Sequence, residues 1–150
     1  MTRRLFPFLV AVAVGACDNL GLGGAPEEIY VDIQASGASR VTLVTGTRWV
    51  SQRDPACEAQ DQTCSETIRV LDADTAGVDV PYTRTYRFTD THQYAVEVYP
   101  EGNAAVTIAM RIEIDGKEWF NEARDFQPVG EAGETESLQF IYQWQAPRIR

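Results

Sequence analysis

A chain of 150 residues with 44% hydrophobic and 23% charged content has the material for one globular core, and its composition is neither disordered nor fibrous. Its 22 acidic residues against 13 basic ones give a formal net charge of -9, and a surface of that sign repels phosphate backbones and anionic headgroups, which excludes nucleic-acid binding.

The first sixteen residues form a leader. Met1 to Arg4 carries two positive charges, Leu5 to Ala16 runs without a charge or an amide, and Gly15 and Ala16 are small residues placed just before Cys17. That is the shape of a secretory signal peptide. A membrane-spanning helix needs about 20 apolar residues, so this run, interrupted by Pro7, is too short to cross. Val14-Gly15-Ala16-Cys17 resembles the lipobox of bacterial lipoproteins. That resemblance implies cleavage before Cys17, lipid on its thiol and a stable anchor built from more than one acyl chain. Loss of Arg3 and Arg4 with the leader leaves 11 basic residues against 22 acidic ones, or -11. Asp18 resembles the inner-membrane retention signal of some enteric bacteria. The expected location is therefore a membrane surface facing the periplasm or the cell exterior.

Once Cys17 carries lipid, Cys57 and Cys64 are left as a pair, and export places them where a disulfide persists. In the chain-entropy model, closing so short a loop contributes about 2 to 3 kcal/mol. Residues 17–26 are Gly-rich and lack aromatics, which reads as a flexible tether; residues 27–146 form the expected domain and 147–150 a short tail.

Within the domain, apolar residues recur at period two. Ile29, Val31 and Ile33 alternate with Tyr30, Asp32 and Gln34, then Val41, Leu43 and Thr45 repeat the pattern. Gly46, before Arg48-Trp49-Val50, marks either a bulge or a bend. Ile68 and Val70 form a short run, Asp72 to Val80 reads as a loop, and Tyr82, Tyr86 and Phe88 share one face of a strand opened by Pro81. Tyr94, Val96 and Val98 lead to the turn Pro100-Glu101-Gly102-Asn103. Val106 to Ile114 is the longest clean alternation. Asp115-Gly116 then predicts a two-residue hairpin turn, with Lys117 to Ala123 pairing back and Trp119 and Phe120 on opposite faces. Leu138, Phe140, Tyr142 and Trp144 form the last strand, ended by Pro147.

About seven to eight such strands without a helical pattern predict an all-β, two-layer antiparallel sandwich of immunoglobulin-like type, with a small closed barrel as the alternative. The opening strand, the Pro81-Tyr82 strand start and the Ile114-Asp115-Gly116-Lys117 hairpin resemble the small exported accessory proteins of the mycobacterial MmpS type. The resemblance spans most of Glu27 to Trp144 and implies a role beside an envelope transporter. It departs in the lipid anchor, since those proteins usually have a transmembrane one, and in cysteines that bracket one short loop.

No catalytic template has residues to attach to. His92 is the only histidine and sits at an expected turn near Asp90, without the partners a general base needs. Asp72 and Asp74 are too few for calcium, which takes six to eight oxygens, and no metal or cofactor is expected. Flat aromatics are the remaining candidates: Trp49, Trp119, Tyr30 and Tyr99 for a ligand or partner surface, with Trp119 the best placed for exposure. The expected function is that of a non-catalytic, lipid-anchored envelope module binding a protein partner; a glycan or small-ligand binder is the alternative, and a hydrolase using His92 a third reading.

Overall fold

The computed structural model describes residues 24–53, 66–102, 104–128 and 136–145. The expected leader, Cys17, the expected tether up to residue 23, and Cys57 with Cys64 lie outside the described residues, as does the expected 147–150 tail. Ten strands and no helix make up the described part. They are β1 (Glu28–Ser36), β2 (Arg40–Gly46), β3 (Trp49–Arg53), β4 (Glu66–Val70), β5 (Asp74–Asp79), β6 (Tyr82–Arg87), β7 (Gln93–Pro100), β8 (Val106–Ile114), β9 (Lys117–Phe126) and β10 (Leu138–Gln143).

Two four-stranded sheets, ordered β6-β1-β8-β9 and β10-β7-β2-β5, form the antiparallel sandwich, and β3 and β4 pair as a separate two-stranded ribbon. The order follows from the apolar patterns. Strands that alternate most cleanly occupy the middle of each sheet, because only there is one whole face covered by the opposing layer. Ile29, Val31 and Ile33 of β1 and Ile108, Met110 and Ile112 of β8 are buried from one sheet, and Val41, Leu43, Val96 and Val98 of β2 and β7 meet them from the other. Phe126, Leu138 and Phe140 close the side of the core.

Two expectations need correction, and one that was open between two readings is decided. The stretch read as a loop from Asp72 to Val80 contains β5, which pairs with β2 from Arg40↔Asp79 to Thr45↔Asp74. It is an edge strand exposed along nearly its whole length, so no apolar alternation announces it. Gly46 marks a bend: β2 stops there and β3 begins at Trp49 as part of the ribbon. Trp119 and Phe120 do not point to opposite faces. The β8–β9 register shifts between Ile112↔Phe120 and Glu113↔Glu118, which leaves Trp119 as the extra residue of a bulge. Trp119 meets Tyr142 at 5.1 Å between ring centroids and Phe120 meets Phe140 at 5.5 Å, so both reach the same face of β10.

The hairpin turn itself forms at Asp115 and Gly116, with φ of 48° and 76°. Positive φ at both central positions gives the turn the twist that antiparallel strands require.

The base of the ribbon rests on the outside of the second sheet. Val96 and Val98 face the core, so Ala95 faces outward, and it pairs with Gly46 across β2 and β7. A Cβ at Gly46 would sit 2.2 Å from Cγ1 of Val70, which means that β4 rests directly on this glycine. Small residues at Gly46 and Ala95 make the seat, and Ala95 is fully buried although it faces away from the core.

Candidate functional site

The antiparallel pairings collect one end of the sandwich from distant parts of the chain. The start of β1, the end of β6, the β8–β9 turn, the start of β7 and the end of β10 all belong to it. The chain comes in at the same end, and Asp115 holds it there. The Asp115 Oδ1 accepts hydrogen bonds from the backbone N–H of Glu27 at 3.1 Å and of Glu28 at 3.0 Å. Phe88 N donates to Glu27 O and Asp115 N to Glu28 O, at 3.0 and 3.2 Å, which ties the segment down on both sides.

Aromatic rings fill this end, with Tyr142 at their centre. Trp119 stands edge-on to its ring at 5.1 Å, and Phe88 lies 5.5 Å from it on a tilt. Trp49 Nε1 donates to Tyr142 O at 3.1 Å, and its own N–H donates to Gln93 Oε1 at 3.2 Å. Phe88 continues to Tyr94 and Tyr94 to Tyr86, at 6.1 and 5.5 Å. Offset and edge-on arrangements of this kind suit the ring quadrupoles and contribute beyond area alone. Burial, with the Asp115 charge behind it, raises the Tyr142 phenol above its ordinary pKa. Burial does the same to Tyr94 and Tyr86, so the phenols of the cluster stay neutral in the physiological range.

Trp119 is 51% exposed, and Lys117 Nζ sits 5.6 Å above its ring. Leu71, 45% exposed, is the other large apolar side chain left open among the described residues. It belongs to the same end: Leu71 N donates to Arg48 O, and the neighbouring Thr47 O accepts from the Thr91 hydroxyl.

Of the four aromatic candidates, the structure brings two together. Trp49 and Trp119 converge on Tyr142. Tyr30 lies on the outer face of the first sheet between Thr85 and Glu113, and Tyr99 on the outer face of the second, its hydroxyl donating to Glu97 Oε2 at 2.7 Å. Burial and then the Glu97 partner raise the Tyr99 pKa. Tyr30 and Tyr99 therefore lie on different faces from each other and off the aromatic cluster that holds Trp49 and Trp119. Residues that the sequence reading passed over, Tyr142 and Phe88, form the centre instead; the signal was their place on the inward face of their strands. Trp144, expected in the last strand, falls after it and stands edge-on to His92 at 5.3 Å.

His92 occupies the turn before β7 with φ of 48°, and its Nδ1 is buried without a hydrogen-bond partner among the described residues. Among the described residues no carboxylate orients it. With Arg87 and Phe88 it forms one wall of a groove of about 460 Å³, the other wall being the incoming segment Ala25 to Glu28. A second depression of about 300 Å³ lies on the outer face of the first sheet beside Asp32 and Asn121. There the Arg111 guanidinium is already paired with Glu113 and with Glu118, the latter at 3.0 Å.

Asp72 has a structural task. Its carboxylate accepts from the Thr47 hydroxyl at 2.5 Å and from the Thr47 and Arg48 N–H groups at 3.0 and 2.9 Å, closing the bend between β2 and β3. Burial opposes its ionisation, but these hydrogen bonds outweigh that and lower its pKa. Among the described residues no group of three or more His, Cys, Asp or Glu side chains gathers as a metal site. Compared with known proteins, the chain matches no family model, no curated protein and no solved structure.

Proposed function

We propose that this chain is a lipid-anchored, non-catalytic envelope module that binds a protein partner through the β3–β4 ribbon. The observation that carries this reading is the ribbon itself, a two-stranded sheet separate from both layers and seated at its base by Trp49, Val70 and Gly46. Extended strands outside a closed sheet offer backbone donors and acceptors to a partner's strand, a common mode of recognition. Gln52 and Arg69 are exposed on it. The lipobox at Val14 to Cys17 supports the anchor, and the order of sequence motifs supports an envelope transporter as the partner class.

Photo-crosslinking amino acids at Gln52 and Arg69, in cells expressing the full chain, give one discrete envelope-protein adduct, while the same group at Glu122 on β9 gives none. Equal labelling from all three positions, or none from any, overturns the reading.

A further inference from the structure

We propose that the aromatic end of the sandwich is a lipid-contacting surface that rests in the interfacial layer of the bilayer, with Trp119 and Leu71 as its apolar contacts. This rests on lipidation of Cys17. Six residues separate Cys17 from Gly24, and the seven Cα-to-Cα steps between them span at most about 25 Å even when fully extended. The end of the domain where the chain comes in is therefore held close to the membrane. Asp115 fixes which end that is, since its carboxylate binds the N–H groups of Glu27 and Glu28.

At this end, and not at the far one, stand both large apolar side chains that the described residues leave open, Leu71 at 45% and Trp119 at 51%. Tyr142, Phe88 and Trp144, each half-buried, belong to the same end, and Tyr142 meets Trp119 directly. Tryptophan and tyrosine favour this layer because an apolar ring there keeps a polar atom in reach of water and headgroups. Charge selects the lipid. Glu27, Glu28, Asp115 and Glu118 outnumber Arg87 and Lys117 at this end, so the contact suits zwitterionic headgroups and is weakened by anionic ones.

The test uses the full acylated chain reconstituted into phosphatidylcholine vesicles whose acyl chains are brominated near the headgroup. Bromolipid quenches roughly a third or more of the tryptophan emission, Trp119→Phe loses over half of that quenching, and replacing a third of the lipid by phosphatidylglycerol reduces it. Leu71→Ser, a change at an exposed position that leaves all three tryptophans in place, also lowers the quenching. Intact mass separates the two ways to fail. An unmodified Cys17 removes the anchor and overturns the proposal together with that reading. Acylated protein without quenching, or quenching unchanged in Trp119→Phe, overturns the lipid contact alone. A photo-crosslinker at position 119 that labels a protein rather than lipid in cell membranes also overturns it.

Discussion

Replacing Gly46 by alanine tests whether the ribbon is seated on the second sheet as described. The new methyl carbon would lie 2.2 Å from Val70 Cγ1 and 2.9 Å from Asp72 Oδ1. Valine branches at Cβ and holds one preferred rotamer, so its γ-carbon cannot swing aside freely and the strand must lift. Overpacking of this kind costs about 1 to 3 kcal/mol. At roughly 4 °C per kcal/mol for a domain of this size, the melting temperature falls by about 4 to 12 °C. Val70→Ala alone, at a half-buried position, costs about 1 kcal/mol. The double variant Gly46→Ala/Val70→Ala removes the principal clash, so its loss lies near that of Val70→Ala, and the two sites show a coupling of about 1 to 3 kcal/mol. Thermal melts by circular dichroism give the four corners of the cycle, and hydrogen exchange of the β3 and β4 amides reports whether the ribbon lifts. Strictly additive losses with unchanged exchange in the ribbon would refute the seat.

Three other perturbations address the end of the sandwich. Asp115→Ala removes the acceptor for Glu27 and Glu28 and puts a residue without a local polar side chain at φ 48°, lowering stability by about 1 to 2 kcal/mol; Asp115→Asn, which tolerates that φ and keeps one acceptor, loses less, as denaturant titration of the two should record. Asp72→Asn lowers the melting temperature by about 2 to 4 °C at pH 7, on the order of 1 kcal/mol after solvent screening. Because the folded-state pKa of Asp72 lies below its unfolded value of 3.8, its stabilisation is present above that pH and lost as pH falls through the folded pKa, so melts of wild type and Asp72→Asn converge in acid. Deleting Trp119 removes the bulge and leaves Phe120 opposite Ile112, but it also removes the half-buried ring on Tyr142, so stability falls by about 1 to 3 kcal/mol; a loss well beyond that in a denaturant titration would mean that the bulge holds the hairpin together.

The core could be read in the sequence because it obeys a two-residue period. Ile29, Val31 and Ile33, and the run from Val106 to Ile114, declare their buried faces directly, and the Asp115-Gly116 turn fixes how β9 returns. β5 could not be read the same way. An edge strand of Asp, Thr, Ala, Gly and Val residues that faces water almost throughout has no burial pattern to betray it, and only its register with β2 makes it a strand. At Gly46 the pattern offered a bulge or a bend, and the choice depended on Val70, twenty-four residues further on, taking the space above the glycine. The candidate site was legible in kind but not in grouping. Trp49 and Trp119 were visible as aromatics, whereas Tyr142, which joins them, looked like one more inward residue of the last strand.

Trp119 shows why such groupings escape a periodic reading. Strict alternation would place it opposite Phe120 and send it to the outer face of the first sheet. Instead the register slips by one residue beside the Asp115-Gly116 turn, so Glu118 stays outward opposite Glu113, Phe120 keeps its place on Phe140, and the inserted tryptophan is turned toward the rim. The slip separates two demands that adjacent strand residues normally share: the core retains its contact at Phe120 while a large ring is left half in solvent. Tyr142 then steadies that ring from one side and Lys117 from another, both within the end that Asp115 ties to the incoming chain. One extra residue in β9 thus places the exposed tryptophan beside the point where the chain enters β1.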